Sequence, residues 1–190
     1  MFQNGSLKLF QKYLEDRLET NIHLTEDSVR YSFFSALTAQ NAFEQHEITL
    51  ELPHPQIKNA EIDTYIKSKN IEAFLEFKYH RKSNSSSPKP QKAGSLFKDF
   101  IRLSTLNGSA KKYVVYFTDI EMATYFHKHN SQYSDFWSKE SFVFDDSFIS
   151  KTSSTFKKVC GNLVNCKVNT IFSSCLASGH QIRVYCVTAI

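Results

Sequence analysis

The chain has 190 residues, of which 41% are hydrophobic and 14% aromatic, and this composition excludes an intrinsically disordered polymer. At this length we expect a single domain spanning residues 1–190. The sequence contains no run of about 18 apolar residues, so no membrane-spanning segment is predicted. The first residues read as an amphipathic helix without the apolar region of a signal peptide, which predicts a cytoplasmic protein.

The formal net charge is only +4, but the basic residues are concentrated in one segment. Residues 81–112 contain eight Lys and Arg and one acidic residue, whereas residues 1–80 contain eight against twelve. Nucleic acid would find phosphate contacts in the basic segment, and the alternative is a solvated basic loop. The four cysteines all lie between residues 160 and 186 with irregular spacing, which favours buried free thiols, with zinc or a disulfide as alternatives.

Two helices and a short strand are predicted first along the chain. Apolar residues at helical spacing predict an amphipathic helix over about 5–20. Thr25 is a typical N-cap residue, and it predicts a second helix that runs to about Ala39. The alternating sequence ITLEL then predicts a strand over 47–52, which ends at Pro53.

Residues 61–79 predict a β-hairpin, because two runs of β-branched and aromatic residues flank a polar turn. A two-residue loop at 69–70 would place Asp63 directly across from Glu76. Side chains alternate along a strand, so Glu76 and Lys78 share a face. Two like charges placed opposite each other on a sheet repel, so a hairpin that keeps them beside an ammonium group predicts a divalent-cation site.

The segment after the hairpin predicts a crossover back to a further strand. Ser, Pro, Lys and Gly dominate residues 81–94, which predict a mobile basic loop. A helix is predicted from Ser95 to about Leu106, followed by a buried strand over 112–117. A helical crossover would make that strand parallel to the second strand of the hairpin.

The C-terminal part is less regular in sequence. Asp119 predicts the start of a helix that runs to about His129, and residues 130–165 give no clear assignment. Residues 168–176 and 181–188 predict two closing strands, with a turn between them.

With these elements in order, the chain resembles the PD-(D/E)xK nuclease superfamily, which has a restriction-endonuclease-like fold. Asp63 on the second core strand and the E-x-K sequence Glu76-Phe77-Lys78 on the third carry the resemblance, and Glu26 on the preceding helix matches an acidic residue of many members. Ile62 stands where the motif's name has proline. The resemblance covers about residues 25–117. It implies an α/β fold with a mixed central sheet flanked by helices in the order αβββαβ, with an N-terminal addition and a C-terminal extension over 118–190.

The resemblance implies a metal-dependent endonuclease. Asp63, Glu76 and the Phe77 carbonyl would bind Mg²⁺, which prefers oxygen ligands and for which Mn²⁺ would substitute. Glu26 would be an outer or second-metal ligand, and Lys78 would orient the attacking water and stabilise developing negative charge. A solvent-facing edge strand is the alternative for the hairpin residues. For Glu26 the alternative is compensation of the helix dipole.

DNA is the expected partner, and the chain has no sequence string for a nucleotide cofactor. The predicted DNA contacts lie in and after the basic segment: Lys89, Gln91, Lys92, Lys98 and Arg102. Such contacts position DNA without reading its sequence. The resemblance implies a homodimeric endodeoxyribonuclease. A small chain with no fused helicase or methylase region is expected to be of the restriction or defence type, and a nuclease carried by a mobile element is the alternative. The alternatives are a non-catalytic DNA-binding protein of the same fold and an unrelated α/β interaction protein.

Overall fold

The computed structural model describes residues 2–69, 71–81, 87–128, 130–161 and 165–190. Over these residues the strands are β1 (Ile48–Pro53), β2 (Glu61–Lys67), β3 (Glu72–His80), β4 (Lys111–Thr118), β5 (Ser141–Phe144), β6 (Cys166–Cys175) and β7 (Gln181–Ala189). The helices are α1 (Asn4–Glu19), α2 (Glu26–Thr38), α3 (Lys89–Ser104), α4 (Ile120–Lys128), α5 (Asn130–Ser138), α6 (Asp146–Ser150) and α7 (Ser154–Cys160). The strands form one mixed sheet in the order β1-β2-β3-β4-β7-β6-β5, so the protein is of the α/β class.

The predicted order of one helix, three strands, a helix and a strand is confirmed by α2 through β4. The hairpin of β2 and β3 has the predicted register, since Thr64 pairs with Leu75 and Lys67 with Glu72. Strands β3 and β4 are parallel, as predicted, because α3 carries the chain back to the starting end of the sheet. The Thr25 N-cap is also confirmed, because its side chain accepts a hydrogen bond from the Ser28 N–H.

The sheet is covered on both faces. Helices α1 and α2 pack on one face, where Phe10 and Phe33 meet Phe77 of β3 in a core of fully buried side chains. Helix α3 and the later helices pack on the other face around Phe97, which is also fully buried. Strand β3 therefore lies between α1 and α2 on one face and α3 on the other. Because side chains alternate along a strand, Phe77 faces α1 and α2, and Glu76 faces α3.

The prediction of a loop up to Gly94 is wrong, because α3 begins at Lys89. Pro90 lies in the first turn, where a helix tolerates the missing N–H, so the proline does not prevent the helix. Gly94 is buried where α3 crosses α7, and a Cβ there would lie 2.9 Å from the Phe156 carbonyl oxygen. This close contact explains a glycine inside a helix. Residues 82–86 of the predicted loop lie outside the described part of the chain.

The C-terminal residues continue the same sheet. Strand β7 pairs with β4 and with β6, which confirms the two closing strands and their antiparallel turn. All four cysteines are free; Cys160 and Cys166 are buried, whereas Cys175 is exposed, so the expectation of burial is wrong for Cys175. None of the helices in the described ranges is long and apolar enough to cross a membrane.

Candidate active site

The hairpin brings Asp63 and Glu76 to neighbouring positions at the end of the β2–β3 ladder. The backbone pairing ends at Thr64 and Leu75. Beyond it, the Asp63 side chain links the two strands, because its Oδ2 accepts a hydrogen bond from the Phe77 N–H at 2.7 Å. The Glu76 side chain is only 1% exposed. The two carboxylates that the sequence predicted to be close are thus held at the same end of the hairpin, one at the surface and one in the interior.

Lys78 reaches two further carboxylates from the same strand. Its Nζ lies 3.7 Å from Glu26 Oε2 and 3.4 Å from Asp99 Oδ2. Glu26 is the first residue of α2 and is itself fixed, since its Oε2 accepts a hydrogen bond from the Tyr79 N–H at 2.9 Å. The N-cap at Thr25 sets where α2 begins and so places Glu26 over the end of β3. The predicted neighbours Glu26 and Lys78 are brought together.

Helix α3 contributes two residues that change the site. Arg102 donates from Nη2 to Glu76 Oε2 and, at 3.1 Å, to Asp99 Oδ1. Asp99 therefore bridges the Arg102 guanidinium and the Lys78 ammonium, one with each oxygen. The sequence did not point to Asp99, and it predicted Arg102 only as a DNA contact. A usable signal was present: Asp99 is the single acidic residue in the basic segment, and it lies three positions before Arg102.

Burial and neighbouring charges both shift the pKa values of the site residues. Burial, followed by the charges of Asp99 and Asp63, raises the pKa of Glu76 to about 9, although Arg102 opposes the shift. Burial also raises the pKa of Asp99. For Lys78, burial lowers the pKa, but the charges of Asp99 and then Glu26 outweigh it, so the pKa is raised. Burial thus favours the protonated, neutral form of Glu76, whereas the neighbouring negative charges keep Lys78 protonated.

Two buried oxygens of this cluster, Glu76 Oε1 and Asp99 Oδ2, have no hydrogen-bond partner among the described residues. Glu76 Oε1 is removed from solvent while Oε2 contacts Arg102. A buried carboxylate oxygen without a donor is costly, and a cation is one group that would satisfy it. Asp63 lies alongside with Oδ1 3.8 Å from Arg30 Nη2, a loose ion pair. The donor set, carboxylate oxygens at one strand end, has the chemistry that Mg²⁺ prefers.

These carboxylates are not preassembled around a metal position. Within the described residues no group of three or more His, Cys, Asp and Glu side chains is arranged so that it could hold a metal ion. Two contacts occupy oxygens of these side chains: Arg102 pairs with one oxygen of Glu76, and the Phe77 N–H donates a hydrogen bond to one oxygen of Asp63. A metal ion held by these carboxylates would require the side chains to rearrange.

A cleft of about 740 Å³ opens beside this cluster. Its charged lining is mixed, with Lys58, Lys98 and Arg102 as basic residues and Glu61 and Asp63 as acidic ones. The predicted contact Lys98 is exposed there, at the mouth of the site. An anionic chain in this cleft would run past the Asp63 carboxylate.

The other predicted DNA contacts lie at the start of α3. Lys89 and Gln91 are exposed, while Lys92 Nζ donates to the Arg81 carbonyl oxygen at 2.6 Å. Arg81 in turn lies against His23, with its Nη1 3.0 Å from Nε2. Lys89, Lys92 and Arg81 therefore form a basic surface at the C-terminal end of β3.

His80, the last residue of β3, is turned away from the surface. It is 6% exposed, and its ring nitrogens lie 3.1 Å from Tyr116 Oη and 3.2 Å from Ser95 Oγ. Burial, and then the charges of Lys78 and Lys92, lower the pKa of His80 to about 3. His80 is thus a neutral structural group that links β3, β4 and α3.

No family model, curated protein or solved structure matches this chain.

Proposed function

We propose that this protein is a Mg²⁺-dependent endodeoxyribonuclease with a restriction-endonuclease-like core. The observation that carries the proposal is the grouping of Asp63, Glu76 and Lys78 at one end of the hairpin, around a buried Glu76 oxygen that has no hydrogen-bond partner among the described residues. The order of elements from α2 to β4, with β3 parallel to β4, supports the finer fold assignment.

The proposed roles follow from the charge and position of each group. Asp63, Glu76 and the Phe77 carbonyl would hold the metal, with Glu26 as an outer or second ligand. The ion, when bound, supplies Lewis-acid polarisation of a phosphodiester and a more acidic water. Lys78, kept protonated by its carboxylate neighbours, would orient the attacking water and stabilise negative charge that develops on the phosphoryl group.

DNA would lie across the cleft and the basic surface at the start of α3. In the cleft, Lys98 would contact phosphates, and Arg102 would reach the same backbone from the cleft wall. At the start of α3, Lys89, Gln91 and Lys92 would contact the flanking backbone. These contacts would fix the register of the duplex without specifying its sequence. A homodimer, which would place two such sites on two strands, stays a prediction that light scattering after gel filtration can test.

A non-catalytic DNA-binding protein is the second candidate, and one observation favours it. The ion pairs of Arg102 with Glu76 and of Lys78 with Asp99 neutralise the buried carboxylates without a metal. A site that is already neutralised can be retained for stability alone. Metal binding and cleavage are the properties that distinguish the two candidates.

Cleavage of supercoiled plasmid DNA with Mg²⁺ or with EDTA is the direct test. We expect nicking or linearisation only with Mg²⁺, lost in Asp63→Ala and in Lys78→Ala. Asp135→Ala is the matched control, because Asp135 is a half-exposed carboxylate that pairs with Lys139 on the surface of α5. Cleavage that survives EDTA, or that survives in both site variants, would contradict the proposal.

Thermal unfolding with added metal tests the site without requiring activity. A ligand present at 100 times its dissociation constant stabilises the folded state by about 2.7 kcal/mol. Mn²⁺ or Mg²⁺ should therefore raise the melting temperature of the wild type and of Asp135→Asn but not of Asp63→Asn. DNA binding without any metal response and without cleavage would favour the non-catalytic candidate.

A further inference from the structure

Asp99 is the central carboxylate of the cluster, although the family pattern assigns it no role. Its side chain is 6% exposed, and its two oxygens contact different cations: Oδ1 lies 3.1 Å from Arg102 Nη2, and Oδ2 lies 3.4 Å from Lys78 Nζ. It comes from α3, whereas Asp63, Glu76 and Lys78 come from β2 and β3. We propose that Asp99 is a positioning residue, which holds the Lys78 ammonium in place for cleavage of the phosphodiester. This inference rests on the proposed function.

A lysine side chain needs such a fixed partner. Its ammonium ends a flexible four-carbon stem, so one contact does not define its position. Lys78 has two carboxylate partners, and they differ in strength: Glu26 is 37% exposed, so water screens it, whereas Asp99 is buried. The stronger restraint on the ammonium is therefore Asp99.

Asp99 is itself presented from a rigid surface. The neighbouring α3 residues Phe97 and Phe100 are fully buried in the core, so the helix cannot turn without disrupting the packing. Arg102, one helical turn away, occupies the other oxygen of Asp99 and also contacts Glu76. These contacts fix the carboxylate in orientation as well as in position, which is what a supporting group requires.

A purely structural ion pair would predict different kinetics from a positioning residue. If Asp99 acts through Lys78, its loss should lower kcat more than it raises the KM for DNA, because Asp99 does not line the cleft and would affect DNA binding only through its contact with Arg102. The substitution of Asp99 should also have no effect on kcat in a variant that lacks the Lys78 ammonium, since the effects of residues that act as a unit are not additive. A structural pair would lower the melting temperature and leave the kcat of the folded fraction unchanged.

The test compares Asp99→Asn, Lys78→Gln and the double variant, with Asp135→Asn as the control. We expect Asp99→Asn and Lys78→Gln each to lower kcat on the order of 10²-fold, the loss typical for one transition-state donor. The double variant should be no slower than Lys78→Gln. A kcat for Asp99→Asn equal to that of the wild type, or losses that multiply in the double variant, would overturn the inference.

If Asp99→Asn does not fold, Asp99→Glu replaces it. This variant keeps the charge and moves the oxygens by one methylene, so a folded protein with reduced kcat supports positioning, and unchanged kcat refutes it.

If the wild type cleaves no DNA, the proposed function fails, and the contact between Asp99 and Lys78 is then tested by unfolding. We expect Lys78→Gln to lower the melting temperature of the wild type, but not to lower it further in a protein that already carries Asp99→Asn. Equal losses in both backgrounds would show that Asp99 does not hold Lys78.

Discussion

Acid should destabilise this protein through His80, which is buried in its neutral form. The Ser95 hydroxyl already donates to the Lys92 carbonyl, so it accepts from His80 Nε2–H, and Nδ1 is left to accept from the Tyr116 hydroxyl. One donor and one acceptor are what a neutral imidazole offers. Protonation would put a second donor on the ring, facing the Tyr116 hydroxyl.

The size of the effect follows from the pKa of His80, which falls from its usual 6.5 to about 3 in the folded state. The unfolded chain binds a proton as the pH falls through 6.5, whereas the folded protein binds it only near pH 3. The contribution of His80 to stability is therefore complete above pH 6.5 and is lost as the pH falls from 6.5 towards 3. Linkage gives a loss of about 2 kcal/mol by pH 5 and roughly 4–5 kcal/mol by pH 3.

Urea denaturation of the wild type and of His80→Gln, from pH 8 to pH 5, measures this contribution. Glu76 and Asp99 have raised pKa values, so they act in the opposite direction as the pH falls, but they do so in both proteins. The difference between the two stability curves isolates His80. We expect the wild type to lose about 2 kcal/mol more than the variant by pH 5. Parallel curves would refute the assignment of a neutral, buried His80.

Three further substitutions, with Gly5→Ala as the control for Gly94→Ala, test the core packing and the start of α2, each by urea denaturation. Phe97→Ala should cost about 3–5 kcal/mol, because the ring is fully buried among other aromatic rings; a loss below 1 kcal/mol would contradict that burial. Gly94→Ala should cost about 1–3 kcal/mol, since its Cβ would lie 2.9 Å from the Phe156 carbonyl oxygen. Gly5→Ala meets only an ordinary 3.5 Å contact and should not destabilise; equal effects of the two glycine changes would argue against the close helix crossing. Thr25→Ala should cost about 1 kcal/mol by removing the N-cap of α2, and an unchanged midpoint would show that the cap contributes nothing.

The parts of the fold that were predicted correctly depend on local patterns. The hairpin register follows from the alternation of side chains and the length of its turn, so Asp63 and Glu76 could be paired from sequence. The helix α2 follows from its capping residue, which fixed the position of Glu26. A crossover of helical length made β3 and β4 parallel. Each of these is set by residues close together in the chain.

The start of α3 could not be predicted in the same way. Local composition favoured a loop, because prolines, serines and lysines dominate the segment before Ser95. The packing of Gly94 against α7, some 60 residues later in the chain, stabilises a helix there instead. Propensity is a weak prior that tertiary contacts override when they bury a surface.

The candidate site likewise contains residues that local spacing predicts and residues that only tertiary packing brings in. Sequence spacing alone determined that Asp63, Glu76 and Lys78 share one face of a hairpin, because a strand has a fixed period of two. Only the tertiary structure decided that Asp99 and Arg102 enter the same cluster, because that depends on how α3 rotates when its apolar side packs on the sheet. The burial of Glu76, which raises its pKa, has the same origin: solvent is excluded by a helix that is distant in sequence.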